Sequence, residues 1–188
     1  MLNKLETIEK RLDSLEYIYN TSVNKTWPVS CKMKIYATKE QLWSLITKPG
    51  HLNLFHPFIK SNEVIKWDGV GSKDQLTYLN ETSLLRDFIK WNQNIGYTLL
   101  IGRKNGQKSK VEWEITTLNN ETFLSITVHP HLLNSVPRFV SYFPYSLFIK
   151  PKLKKYLNSV IRGINWYFEN KNPIPKNHFG KHDWFSKT

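Results

Sequence analysis

Thr38-Lys39-Glu40-Gln41-Leu42-Trp43, then Lys48-Pro49-Gly50-His51-Leu52, then Phe55-His56-Pro57, then Trp67-Asp68-Gly69-Val70-Gly71: this order decides how the chain is read. Thr38 is placed to N-cap a helix, and Gln41, three residues on, completes a capping box. The helix buries Leu42, Trp43, Leu45 and Ile46. Lys48-Pro49-Gly50 then stops it, because proline breaks the hydrogen-bond ladder and glycine accepts the turn after it. An aromatic-His-Pro loop comes next. Gly69-Val70-Gly71 falls between two expected strands and reads as a turn, since a phosphate-cradling glycine loop would open a helix.

Working outward, residues 29–36 alternate: Val29, Cys31, Met33 and Ile35 face one way, Ser30, Lys32, Lys34 and Tyr36 the other, which is the period of a half-buried strand. Strands are expected at 59–67, 74–80, 84–92, 95–102, 108–117 and 122–129. Turn signals separate them, the strongest being Asn105-Gly106, where both residues tolerate positive φ. Strands that succeed one another without helices between them form an antiparallel meander. Pro137, Pro144 and Pro151 then recur at seven-residue intervals. A proline inside a helix costs about 3 kcal/mol, so short helical turns are expected over 130–150 rather than one continuous helix. Pro151 suits the first turn of a final helix that runs to about Asn170. The tail from Asn172, with Pro173 and Pro175, reads as irregular, with Phe179, Trp184 and Phe185 available to dock.

At the other end, Leu5, Ile8, Leu12, Leu15 and Tyr19 lie on one stripe of a helix over 2–20. That helix either packs on the domain or forms a short seam making a homodimer. The single Cys31 excludes an internal disulfide and fits a reducing compartment. No apolar signal-like stretch opens the chain, so a cytoplasmic protein, peripheral to membrane at most, is expected. The net charge is +12, and it is uneven: residues 95–188 hold 14 basic and 5 acidic side chains, and no acidic residue lies between Glu121 and Glu169. Arg138, Lys150, Lys152, Lys154, Lys155 and Arg162 are interleaved there with aromatics, which gives 138–162 the chemistry of an anionic membrane contact or, ranked lower, of a nucleic-acid surface.

The order of strand, helix, Pro-Gly break, aromatic-His-Pro loop, strands and long final helix resembles the helix-grip superfamily, which includes START, birch-pollen-allergen-like and polyketide cyclase/dehydrase domains (SRPBCC). The resemblance covers residues 29–170. It implies an α+β fold: a curved antiparallel β-sheet wrapped around a long C-terminal α-helix, here with an extra N-terminal helix. The expected division is a helix and linker at 1–26, a ligand-binding domain at 27–171 and a tail at 172–188. The implied function is binding of a small hydrophobic or amphipathic, lipid-like ligand in an internal cavity, as carrier or sensor. The alternatives are a cyclase/dehydrase-like enzyme on an apolar substrate and a peripheral membrane protein.

No catalytic constellation is visible, so no catalytic residue is nominated; no cofactor is called for, and no histidine pair comes with the further ligands a metal needs. Strand alternation and helix face select the expected lining. Met33, Trp43, Phe55, Phe58 and Trp67 come from the first half; Tyr78, Phe88 and Trp113 from the later strands; Leu157, Ile161 and Ile164 from the final helix. His56, in the loop bordering the mouth, is the polar anchor candidate, weighed against a loop histidine bonded to backbone. Arg86 is the candidate for gripping an anionic headgroup, weighed against a surface position. His129 and Tyr142 are candidates at the mouth, and 130–150 is the candidate lid.

Overall fold

Thr38 and Gln41 form the expected box: Thr38 N–H donates to Gln41 Oε1 at 2.9 Å and Gln41 N–H to Thr38 Oγ1 at 3.2 Å. They start α1 (Lys39–Ile46), which buries the four side chains expected of it. A second short helix, α2 (Leu52–Phe55), leads into His56. The computed structural model describes residues 27–131 and 142–187. The expected helix at 2–20 with its dimer seam, and residues 132–141 of the candidate lid, Arg138 among them, lie outside these residues.

Seven antiparallel strands keep to the expected limits to within two residues: β1 (Val29–Ile35), β2 (Ile59–Lys66), β3 (Lys73–Tyr78), β4 (Ser83–Asn92), β5 (Gly96–Gly102), β6 (Lys108–Leu118) and β7 (Glu121–His129). Their order is β1-β7-β6-β5-β4-β3-β2, so the first strand joins the meander through the last. Inward alternation is clear on β7, where Leu124, Ile126 and Val128 are buried, and on β6, where Val111, Trp113 and Ile115 are buried. Register shifts in the β2–β3 and β4–β5 pairs mark bulges, which bend strands and increase twist.

The long helix α3 (Lys150–Asn170) buries Leu153, Leu157, Val160, Ile161 and Ile164. It is tied to the end of β1 by Asn165, which donates to Lys34 O at 2.9 Å and accepts from Tyr36 N–H at 3.1 Å. At Gly163 it passes so close to α2 that a Cβ would stand 1.9 Å from the Phe55 carbonyl oxygen. The helical path before α3 corrects one expectation. Tyr142–Pro144 is already helical, and a π-turn over Tyr145–Ile149 runs straight into α3. The wider turn, closed by Lys150 N–H to Tyr145 O, changes the hydrogen-bond register just before Pro151, the residue with no N–H to continue it. The tail from 172 has no regular structure but is bonded to the domain, through Ile174 N–H to Leu54 O, Asn177 N–H to Pro57 O and Asn80 Nδ2 to Trp184 O.

Candidate ligand cavity

Between sheet and α3 lies a cavity of about 520 Å³. Its walls are mostly aliphatic: Leu76 from β3, Leu99 from β5, Val111 from β6, Ile126 and Val128 from β7, Leu153, Leu157 and Val160 from α3. Every one of the strand residues sits on the inward side of its alternation. The β5–β6 hairpin, through Arg103, Gly106 and Gln107, and His131 line another part of it. Trp184 and Phe185 of the tail line it too, Phe185 stacking on Tyr78 at 4.1 Å between ring centres.

Three polar groups meet on this wall. His56 Nε2 lies 2.8 Å from Tyr156 Oη, and Tyr156 Oη lies 3.0 Å from Tyr78 Oη. The Phe58 N–H donates to His56 Nδ1 at 3.2 Å, so the proton of the neutral ring is on Nε2 and is donated to Tyr156. Burial, with Arg86 nearby, holds the His56 pKa down at about 3, so the ring is neutral near pH 7. Burial also keeps both phenols protonated: Tyr78 is pushed up to about 12, and Tyr156, half-buried along the wall with its hydroxyl enclosed, well above its ordinary value.

Arg86 is buried, and Asp74 beside it is fully buried. The two are direct cross-strand partners on β4 and β3, and Asp74 accepts from Nε at 2.7 Å and from a terminal nitrogen. Burial works against the guanidinium charge, but Asp74 more than offsets it and raises the pKa. At another point Ser109 and His131 bond reciprocally, the His131 N–H to Ser109 Oγ at 3.1 Å and Ser109 Oγ to Nδ1 at 2.8 Å. Among the described residues no group of three or more His, Cys, Asp or Glu is placed to hold a metal.

No protein-family model matches the chain, and no curated protein sequence matches it. Solved structures do. DynU16, from the dynemicin biosynthetic locus, aligns with a TM-score of 0.60 at 12% identity, over 78% of this chain and 48% of that one. The chain thus spans about half the length of DynU16. SSP2350 from Staphylococcus saprophyticus aligns with a TM-score of 0.57 at 12% identity, over 80% and 97%. Ara h 8.0201 aligns with 0.56 at 14% identity, over 77% and 99%. The chain has the helix-grip fold. At these identities the likeness is one of fold.

The helix-grip cavity gathers five of the residues selected from sequence: His56, Tyr78, Arg86, Trp113 and Leu157. The others sit elsewhere. Trp43, Phe55, Trp67 and Phe88 belong to an aromatic core with Trp91 and Tyr97 beside the cavity. Phe58 packs between Tyr156 and His182, Ile161 and Ile164 are fully buried in the helix–sheet core, and Met33 is half-buried against it. Tyr142 is 50% exposed and packs edge-on to Trp27. His129 bonds Glu112 rather than the cavity. Arg86 is neither at the surface nor open to an anion at full charge, because Asp74 holds it. The aromatic-basic segment divides: Phe143, Leu147 and Phe148 are exposed beside exposed Lys150 and Lys154, whereas Tyr145 is buried and Tyr156 lines the cavity.

Sequence reading missed Asp74 and Tyr156; it left Trp184 and Phe185 available to dock, which they do, but did not place them in the cavity wall. Asp74 was legible, because it shares the inward alternation of β3 with Leu76 and Tyr78. Tyr156 looked like any apolar helix position, and nothing local to Trp184 or Phe185 says where an irregular tail ends.

Proposed function

We propose that this chain binds a small hydrophobic or amphipathic molecule inside the cavity, as a carrier or sensor. The supporting observation is the cavity itself: protein interiors close to the density of organic crystals, whereas here about 520 Å³ lined by aliphatic side chains stays open beneath a full-length helix. That volume falls within the range of small-molecule sites, which are apolar with a few convergent polar groups. A binder is favoured over a cyclase/dehydrase-like enzyme by the state of His56. Its Nδ1 is occupied by the Phe58 N–H and its Nε2 proton by Tyr156, so no ring nitrogen is free to take a proton from a substrate.

The test is saturable binding of Nile red, monitored by fluorescence, with native mass spectrometry of gently purified protein to detect an occupant. One probe per chain is expected, abolished by filling the cavity with Val111→Trp while the far-ultraviolet circular dichroism stays unchanged. Absence of saturable binding, or binding indifferent to Val111→Trp, would overturn the proposal.

A second reading, peripheral contact with an anionic membrane, rests on the exposed Phe143, Leu147 and Phe148 next to Lys150 and Lys154 at the start of α3. It is compatible with the first, since Leu153, one turn further on, lines the cavity.

A further inference from the structure

The polar cluster holds more protons than its internal hydrogen bonds use, and the surplus bears on the ligand if the cavity binds one as proposed above. His56, Tyr156 and Tyr78 bring three protons: one on Nε2 and one on each phenol. The cluster makes two hydrogen bonds, His56 to Tyr156 and Tyr156 with Tyr78. The first has its direction set by the Phe58 N–H on Nδ1. The second can run either way. If Tyr156 donates to Tyr78, the Tyr78 O–H is left over; if Tyr78 donates, the Tyr156 O–H is left over. Neither phenol has another acceptor among the described residues, and both rings line the cavity. A buried donor without a partner is costly, so the leftover O–H calls for an acceptor from the cavity side.

The charge around it selects the kind of acceptor. Three cations bear on the cavity: Arg86 beside the cluster, which Asp74 cancels at hydrogen-bond distance; Arg103, on the β5–β6 hairpin; and Lys176, an exposed tail residue whose charge reaches His56. His56 is neutral and both phenols are protonated near pH 7. A carboxylate or phosphate brought here would lose its hydration beside a guanidinium already paired with Asp74, whereas a neutral oxygen brings no such penalty. The wall around the cluster, with Leu76, Leu99 and Leu157, suits an apolar body attached to that oxygen.

We infer that the Tyr78–Tyr156–His56 cluster is a hydrogen-bond-donor subsite for an uncharged acceptor oxygen, such as a ketone, ester or amide carbonyl, carried by an otherwise apolar ligand.

Three naphthalene probes of matched size test this: 6-propionyl-2-(dimethylamino)naphthalene, which carries a ketone; its 6-propyl analogue, which does not; and 6-(dimethylamino)-2-naphthoate, which is charged. The ketone is expected to bind about tenfold more tightly than the propyl probe, the scale of one well-made hydrogen bond, and more tightly than the carboxylate. The proton count makes a sharper demand of the variants. Tyr78→Phe removes one proton and one internal bond, so Tyr156 becomes the free donor and the ketone preference survives. Tyr78→Phe with Tyr156→Phe leaves the His56 Nε2 proton as the free donor on the wall; adding His56→Leu removes the last one, and the preference disappears in this triple variant while both neutral probes still bind. Should the triple variant fail to fold, the carbonyl stretch of the ketone bound to the unaltered protein reads the same contact: a shift to lower frequency than in hydrocarbon supports the subsite, and an unshifted band overturns it. Equal affinity for ketone and propyl probes overturns this inference and leaves apolar binding standing. Loss of preference in Tyr78→Phe alone overturns the proton count. A carboxylate that binds as well as the ketone overturns the neutrality argument, and failure of all three probes sinks the cavity reading and this inference together.

Discussion

Asp74 and Arg86 show how much one register position decides. Their Cα atoms are paired across β3 and β4, both side chains turn inward, and a charge expected to meet ligand or solvent meets a carboxylate instead. Breaking such a pair from one side leaves an uncompensated buried charge, at about 3–5 kcal/mol, whereas replacing both partners with apolar groups is close to neutral. Arg86→Met should therefore lower the urea midpoint severely, and Arg86→Met with Asp74→Leu should recover most of the loss; additive losses in the cycle would contradict the pairing. His56 makes a second prediction at this scale. Its folded pKa of about 3 lies below its ordinary 6.5, so between those values the unfolded chain binds a proton that the folded chain refuses. Stability is then present in full above about pH 6.5 and drains away as pH falls toward about 3. Burial depresses His51, His131 and His182 in the same direction. Melting temperatures measured across that range should fall with pH, and His56→Gln should flatten the slope by the share of about one proton. An identical slope in the variant would show that His56 is not buried neutral.

Among the elements, α3 does the most to make the cavity, because it forms a wall without filling the space beneath. Two devices set its height over the sheet. Asn165 holds it to the end of β1, and Gly163 lets it settle against α2. A methyl group at 163 would stand 1.9 Å from the Phe55 carbonyl oxygen, so Gly163→Ala must push the helix or α2 aside even though alanine is the better helix former. Overpacking of that kind costs about 1–3 kcal/mol. A melting temperature lowered by several degrees is expected, and an unchanged or raised one would mean that the close approach is absent. The displacement should also reach the loop that carries His56, since Phe55 is its neighbour. The tail is the other element that matters here: it has no periodicity, yet Phe185 stacks on Tyr78 and its carbonyl accepts from Asn80 N–H at 3.2 Å, so the irregular end of the chain completes the wall.

Over the whole molecule, the positive charge is weighted to the second half of the chain, and four of the large exposed apolar side chains fall within residues 142–148. Phe143, Leu147 and Phe148 are each more than 60% exposed, on the approach to α3 where Lys150 and Lys154 also face outward. Lysines near an anionic surface contribute about 1 kcal/mol each, within a Debye length of about 10 Å at 0.1 M salt. Sedimentation with phosphatidylserine-containing vesicles should therefore show binding at low salt that weakens at high salt and is reduced by Phe143→Ser with Phe148→Ser. No binding at either salt concentration would remove the membrane reading and leave the cavity untouched. No helix among the described residues is long and apolar enough to cross a membrane.

The sequence by itself determined the strands, the capped first helix, the long final helix and hence the helix-grip order, because period-two alternation, capping pairs and turn residues are short-range signals whose physics is local. It also determined which face of each strand and of the final helix turns inward, and so put Tyr78, Arg86 and Trp113 from the strands and Leu157 from the helix on the cavity side. Only the tertiary structure decided which inward residues meet open space and which meet each other. Trp43, Phe55, Trp67 and Phe88 face inward as read, but they fill one end of the sheet with one another. The cavity stays open at the other end, where the tail supplies Trp184 and Phe185. The pairing of Asp74 with Arg86 and the meeting of His56 with Tyr156, a hundred residues away, depend on register and on the height of α3 over the sheet. Those are set by long-range packing that no window of sequence contains.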